Sequence, residues 1–399
     1  MIQIIAFLVL AVLGIVAVTK VCILAIYYVS IKIRQKANSA HLHRLKRAAI
    51  GFAVLVILNA GLVAFSQITA STPSITDEKG STPENSIAEL KKIELNGRNQ
   101  WISIRGFDKN KPVLLFLAGG PGGTQMAAVR HELSELEKHF VVINWDQPGS
   151  GKSYYAEKTK NISVDTYIKD GYALTKYLKE RFSQEKIYLI GESWGSALGI
   201  FLIDKYPESY HGFIGTAQMV DFAETERMDY RKVMEIAEAK GDTAIIEQLK
   251  KNGLPPYYGK NVTWKSAVYL NYLSAYMANN SEIQNPGYNT FRDIGSSEYG
   301  LLDKINFFRG IINTYNHVYQ QLYTIDMRKD YTELNVPVYF FLGRHDVNAP
   351  TSLVEEYEKV LNAPDKKIIW FDRSGHSPWI NERSKFVKEL LSCFLAKEA

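Results

Sequence analysis

The chain has 399 residues, a formal charge of +5 and an ordinary balance of apolar and charged side chains. That length exceeds one small domain and suits a large core with an insertion. The mild positive excess falls largely in one short N-terminal stretch, which excludes a nucleic-acid-binding face. The two cysteines, Cys22 and Cys393, suggest no intrachain disulfide framework. No Cys/His cluster has zinc spacing, so no metal is expected.

Residues 2–31 are almost wholly apolar, interrupted by Lys20, and a second apolar run spans 48–68. Each is long enough to cross a bilayer as a helix, which needs about 20 residues. Between them lie Lys32, Arg34, Lys36, Arg44, Lys46 and Arg47, with no acid. By the positive-inside rule this basic loop stays in the cytoplasm, and everything after residue 68 lies on the outer side of the cell membrane. Residues 1–69 are thus expected to meet membrane lipid as two transmembrane helices. A cleaved signal peptide fits two spans poorly, although cleavage after the second span stays open. Lys20 either snorkels to an interface or faces a partner helix. Residues 70–85 are rich in Ser, Thr and Pro and read as a linker that buries nothing.

From residue 86 the pattern is that of a folded α/β domain. Residues 87–94 and 100–105 flank Asn96-Gly97, a hairpin signal. Residues 111–117 form a continuous apolar run, as a strand buried on both faces should, and end in Gly119-Gly120-Pro121-Gly122-Gly123. Such a loop lets backbone N–H groups approach a ligand. No Lys-Ser/Thr follows it, which argues against a phosphate loop. Residues 140–145 read as the next strand and 164–182 as a helix.

Residues 186–190 read as a buried strand and 196–205 as a helix ended by Tyr206-Pro207. Between them stands Gly191-Glu192-Ser193-Trp194-Gly195. Gly-x-Ser-x-Gly at a strand-to-helix turn is the context of a nucleophile elbow. The turn is too tight for side chains at 191 and 195, and it lifts the Ser193 hydroxyl clear of the sheet. A strand at 211–216 follows. Strands alternating with helices argue for a mostly parallel sheet wrapped by helices.

From 220 to 330 long helical stretches replace strands, so these residues read as a helical cap inserted between core segments 86–219 and 331–399. Tyr257, Tyr258, Trp264, Tyr269, Tyr272 and Tyr276 crowd one part of it and either pack together or line an apolar substrate site. The sheet resumes at 336–342, ending at Gly343-Arg344-His345-Asp346. A helix at 352–361, a strand at 367–371 ending at Ser374-Gly375-His376, and a last helix at about 382–395 complete the chain.

Active groups of such a sheet sit at the carboxyl ends of its strands. Ser193, Asp346 and His376 all do, in the order expected of the hydrolase fold with this elbow. Serine needs a base to take its proton, histidine can serve near neutral pH, and an acid orients the imidazole. His345 and Asp372 are the alternatives for the last two roles. The oxyanion formed on attack needs two donors, expected from the N–H of Trp194 and of Gly120. Water is the second nucleophile and no cofactor is needed.

The blocks Gly119-Gly120-Pro121-Gly122-Gly123, Trp145-Asp146-Gln147-Pro148-Gly149-Ser150-Gly151-Lys152-Ser153, Gly191-Glu192-Ser193-Trp194-Gly195-Ser196, Gly343-Arg344-His345-Asp346 and Ser374-Gly375-His376 resemble the signature of the prolyl aminopeptidase (proline iminopeptidase) family. The resemblance covers residue 86 to the C-terminus. It implies an α/β-hydrolase fold with a helical cap and a serine triad matching Ser193, Asp346 and His376. It also implies removal of N-terminal residues, often proline, from short peptides, with cap glutamates holding the free amine. Two positions depart from the family pattern: Ala118 where His is usual, and Pro148 where Arg is usual.

The amine-binding acid is expected where the chain leaves the sheet, among Asp221, Glu224 and Glu226. Glu224 is the chosen candidate, one turn from Asp221. The expected function is a membrane-anchored aminopeptidase. The alternatives are an esterase or amidase on the same triad, acting on a small amide or ester, or an inactive binding protein on this fold.

Overall fold

The computed structural model describes residues 2–395. They form two compact units: residues up to Ala70 together with Tyr299–Ile305, and Ser71–Glu298 together with the chain from Asn306 onward.

The first unit is built on two helices, α1 (Ile2–Ile33) and α2 (Ser39–Ile68), both long and apolar enough to cross a membrane. They pack along each other as an antiparallel hairpin, with the Tyr27 and His41 rings 5.6 Å apart. Asn38 caps α2 reciprocally: its side chain accepts from the His41 N–H at 3.2 Å, and its own N–H donates to the His41 ring at 3.4 Å. The helix therefore starts well before its apolar run. Arg44, Lys46 and Arg47, expected in a loop, lie on its first turns. At the other end of α2, Ser66 Oγ accepts from the Leu301 N–H at 2.9 Å.

The second unit is organised by one eight-stranded sheet in the order β1-β2-β4-β3-β5-β6-β7-β8. β1 (Ile87–Leu95) and β2 (Arg98–Gly106) pair antiparallel around Asn96 and Gly97, whose φ values of 49° and 78° suit a two-residue hairpin turn. β2 joins β4 (Val141–Asp146) antiparallel. The remaining pairs are parallel: β3 (Val113–Leu117), β5 (Ile187–Glu192), β6 (Tyr210–Thr216), β7 (Val338–Gly343) and β8 (Lys366–Phe371).

The central strands are apolar on both faces because both faces are covered. Val113, Leu115, Leu117, Leu189, Phe213, Val338, Phe340 and Leu342 belong to one core cluster. It includes residues of α4 (Val164–Phe182), α5 (Trp194–Lys205) and α13 (Thr351–Val360). The alternate positions Leu114, Phe116, Tyr188, Ile190, Ile214, Tyr339 and Phe341 pack into the other cluster. There they meet α3 (Met126–Glu132), α14 (Pro378–Asn381) and α15 (Arg383–Leu395).

Between β6 and β7 the chain is helical. It forms α6 (Phe222–Lys240), α7 (Thr243–Asn252), α8 (Val262–Ala278), α9 (Thr290–Gly295) and α10 (Leu301–Arg309). A π-helical turn, Gly310–Thr314, and the short α11 (Tyr315–Val318) and α12 (Met327–Asp330) complete it. The base of this insertion is closed by a bridge between Asp221 and Asp326. Arg328 donates to Asp221 at 2.8 Å and to Asp326 at 2.9 Å.

One expectation is corrected. Residues 70–85 were expected to bury nothing, yet Thr72 and Ile75 are buried. For Thr72 the cause is Arg105 on β2, a buried cation that needs acceptors. It pairs with Glu137 at 2.7 Å and donates to Thr72 Oγ1 at 2.7 Å, while Thr72 donates in turn to Glu298 at 3.0 Å.

Candidate active site

Ser193 stands between β5 and α5 with φ 53° and ψ −120°, a backbone conformation that a non-glycine residue adopts only when its surroundings force it. The surroundings do so. A Cβ at 191 would lie 2.2 Å from the Gly195 carbonyl oxygen, and one at 195 would lie 2.1 Å from that of Leu117. The Ser193 N–H donates to Thr216 O on β6 at 3.1 Å, pinning the turn to the next strand.

His376 follows β8 and Asp346 follows β7. His376 Nδ1 lies 3.1 Å from Asp346 Oδ2 and 3.2 Å from Oδ1. Asp346 also accepts the N–H groups of Asn348 at 2.8 Å and Ala349 at 3.0 Å, so its carboxylate is fixed by its own loop. Burial pulls the His376 pKa down, but the charge and hydrogen bond of Asp346, aided by the charge of Glu192, hold it above its ordinary value. Ser193 and His376 line one cavity. The alternatives are engaged elsewhere: Asp372 is exposed and paired with Arg344 at 3.2 Å, and the His345 ring meets Asp372 O at 3.0 Å.

The two segments expected to supply oxyanion donors are tied together beside Ser193. Gln147 donates to Ala118 O at 3.1 Å and accepts the Trp194 indole N–H at 2.9 Å, linking the end of β3 to the start of α5. In the glycine loop the Gly119 N–H is taken by Gln125 Oε1 at 3.0 Å, while Gly120 lies beside Ser193 in both adjoining cavities. The Trp194 N–H belongs to the first turn of α5, where a helix supplies no internal acceptor. The glycine loop is held from above by backbone contact: a Cβ at Gly122 would lie 2.3 Å from Gly310 O, in the π-helical turn.

Two cavities meet at Ser193, Gly120 and Ile311. One, of about 210 Å³, is lined by Trp194, Met219, Phe222, Leu270, Tyr315, Tyr319 and Asp229. The other, of about 300 Å³, reaches His376, Glu192, Gln125, Tyr288, Asp293 and Phe307. A third, of about 220 Å³, shares His376 and Tyr288 with the second.

Glu224 lines none of these cavities. It is partly exposed on α6 and paired with Arg231 at 2.6 Å and Arg227 at 3.2 Å. The reason is helix phase. Asp221 caps α6 by accepting the Glu224 N–H at 2.9 Å, and the face turned inward then carries Phe222, Thr225, Glu226, Asp229, Tyr230 and Val233.

The acids of that inner face are Glu226 and Asp229. Among the described residues, neither Asp229 oxygen has a hydrogen-bond partner, and one Glu226 oxygen has none. The other Glu226 oxygen accepts from Tyr269 and, at 3.3 Å, from Ser266. Burial, opposed by the hydrogen bonds of Tyr269 and Ser266, pushes the Glu226 carboxyl up to about 7. Burial also pushes Asp229 well above the carboxylate range, and the charges of Glu226 and Asp346 add to it. Asp229 was missed in the sequence, although it falls on the apolar stripe of α6. Of the six crowded aromatics, Tyr269 touches this acid pair, whereas Tyr258 and Trp264 are exposed.

Residues 121–263 match the family described as serine aminopeptidase, S33. The probable aminopeptidase YbaC of Bacillus subtilis (strain 168) is 31% identical over 318 residues, covering 77% of this chain and 96% of that relative. A proline iminopeptidase of Saccharolobus solfataricus is 26% identical over 289 residues, covering 71% of this chain and 84% of that one. Among solved structures, a proline iminopeptidase-related protein from Thermus thermophilus shares the fold with a TM-score of 0.52 at 19% identity. That match covers 78% of this chain and 99% of that one.

Proposed function

We propose that this chain, which belongs to the prolyl aminopeptidase (proline iminopeptidase) family of α/β-hydrolases, is a serine aminopeptidase with Ser193, His376 and Asp346 as its triad. The observation that carries the peptidase reading over an esterase is Asp229. It is a buried carboxyl with no partner among the described residues, in a cavity that touches Ser193. A buried acid without a partner is costly. A substrate α-ammonium entering that cavity supplies the missing charge and donors.

The proposed chemistry follows. His376 takes the proton of Ser193, whose Oγ attacks the carbonyl of the N-terminal residue. The N–H groups of Gly120 and Trp194 face the resulting oxyanion. His376 returns the proton to the leaving nitrogen as the C–N bond breaks, and water then releases the acyl group by the same route. Asp346 keeps the imidazole oriented and stabilises its cation. Asp229 and Glu226 fix the α-ammonium, which sets how far the substrate enters and restricts cleavage to the first residue.

We further propose that α1 and α2 anchor the enzyme in the cell membrane with the basic stretch in the cytoplasm and the hydrolase unit outside. Protease added to intact spheroplasts should then digest the hydrolase unit. Digestion only after lysis would reverse the orientation.

A panel of aminoacyl amides set against N-acylated amino acid esters tests the activity, together with labelling by a serine-directed fluorophosphonate. Labelling at Ser193 with preferred cleavage of free-amine substrates is the expected result. Labelling with no such preference would favour the esterase, and no labelling would indicate a binding protein.

A further inference from the structure

We propose that the cavity on the His376 side of Ser193 receives the leaving group and selects one that carries a positive charge, with Asp293 as the anchor. This rests on the serine-hydrolase reading of Ser193 and His376, and deepens it by naming the second half of the substrate.

Acyl transfer divides a substrate at the nucleophile. The leaving nitrogen must take its proton from His376, so the leaving group lies on that side. Of the two cavities that meet at Ser193, the one of about 300 Å³ is lined by His376 and the one holding Asp229 is not. The acyl residue with its ammonium therefore occupies the Asp229 side, and the leaving residue occupies the other.

The charge of that second cavity is one-sided. Its charged lining residues besides His376 are Glu192 and Asp293, and among the described residues no Lys or Arg lines it. Glu192 accepts from Ser377 Oγ and Trp379 Nε1 at 2.7 Å each, from Tyr288 OH at 2.5 Å and from Gln125. All four donors are neutral, so the carboxylate is well hydrogen-bonded but they leave its charge uncompensated. Asp293, on α9, is buried; its Oδ1 accepts Arg292 Nε at 2.7 Å, and its Oδ2 has no partner among the described residues. Arg292 itself is shared with Glu132 at 2.5 Å.

Phe307, Ile311 and Ala128 supply apolar wall, and the Tyr288 ring lines the same cavity. An alkyl stem can run along this wall with its ammonium or guanidinium at Asp293 Oδ2. A free α-carboxylate on the leaving residue would instead meet Glu192 with no cation to receive it. The substrate class is thus an N-terminal aminoacyl group joined to a Lys or Arg residue, or to a diamine, with no adjacent free carboxylate. Free dipeptides ending in an acidic or neutral residue are disfavoured. The bond made and broken is the one already described: Ser193 Oγ acquires the acyl group, the leaving nitrogen departs protonated by His376, and water completes hydrolysis.

The test compares prolyl-lysinamide with prolyl-norleucinamide, which differ in the terminal ammonium, using the full chain in detergent. The expected result is a kcat/KM at least ten-fold higher for the lysinamide, shrinking as salt is raised. Asp293→Asn, which retains an acceptor for Arg292, should reduce that ratio at least five-fold. A wild-type ratio near one, or an Asp293→Asn loss equal on both substrates, would overturn the proposal. A second measurement needs neither a variant nor peptidase activity. Lysinamide and norleucinamide compete against fluorophosphonate labelling of Ser193, and lysinamide should protect at lower concentration. Equal protection would overturn the cavity assignment. Should neither prolyl amide be cleaved while lysinamide still protects better, the aminopeptidase reading fails and the cationic cavity stands.

Discussion

The strand ends and the inner face of α6 lie on two sides of Ser193 and treat buried charge in opposite ways. At the strand ends Asp346 accepts two backbone N–H groups and the His376 ring, and Glu192 accepts four side-chain donors. On α6, Asp229 has no hydrogen-bond partner among the described residues and Glu226 has an unanswered oxygen. Buried acids are normally matched. The sheet thus holds a preorganised set of groups, whereas the cap helix holds a charge deficit that a ligand can fill. On the proposed reading, reaction and recognition of the ammonium are carried by different elements, and they can be broken separately.

The largest effect is expected on the sheet side. Ser193→Ala should abolish turnover on every substrate while leaving thermal unfolding unchanged. Activity above about one hundredth of wild type would mean that the nucleophile lies elsewhere, since broken triads retain far less. On the cap side, Asp229→Asn should discriminate between substrates. Losing a charge-assisted bond of about 1.5–3 kcal/mol lowers kcat/KM about ten- to a hundred-fold for free-amine amides. N-acylated esters should be affected less. Equal losses on both would make Asp229 structural and erase the contrast.

A smaller effect is expected from pH. Glu226 is an acid whose pKa is raised to about 7, so it is neutral below that pH and charged above it. For free-amine substrates whose ammonium stays protonated over the range, raising the pH from about 6 to about 8 should therefore lower KM about three- to ten-fold, as a full buried charge is recovered. Dividing by the same profile for an N-acylated ester removes the titration of His376. Glu226→Gln should flatten the quotient, and a quotient that changes in the opposite direction would refute the role. The smallest effect belongs to Glu224→Gln, within about two-fold on both substrates, because its ion pairs with Arg227 and Arg231 are at the surface and worth about 0–1 kcal/mol.

How much was legible in the sequence follows from range. The elbow, the hairpin and the strand ends are written in residues close together, and sterics at Gly191 and Gly195 admit one backbone path. The acid of the cap needed helix phase. Glu224 was chosen by its spacing from Asp221, but the Asp221 side chain is occupied in capping α6. The usable signal was the stripe Phe222, Glu226, Asp229, Val233 and Ile236, in which two acids interrupt an apolar face. Thr72 and Ile75 were illegible for a different reason. The burial of Thr72 goes with Arg105, whose need for acceptors is satisfied across the fold, and no local pattern records it.

The Tyr27–His41 contact fixes more than the packing of two helices. Lys20 lies seven residues before Tyr27 and Ala48 seven residues after His41, each about 10 Å along its helix from the contact. In an antiparallel pair the two are therefore level. Ala48 follows Arg47 directly and begins the apolar run of α2. Under the proposed anchoring, a hydrocarbon slab whose edge excludes Arg47 has Lys20 at the same edge, and the lysine that interrupts the first apolar run becomes a boundary marker.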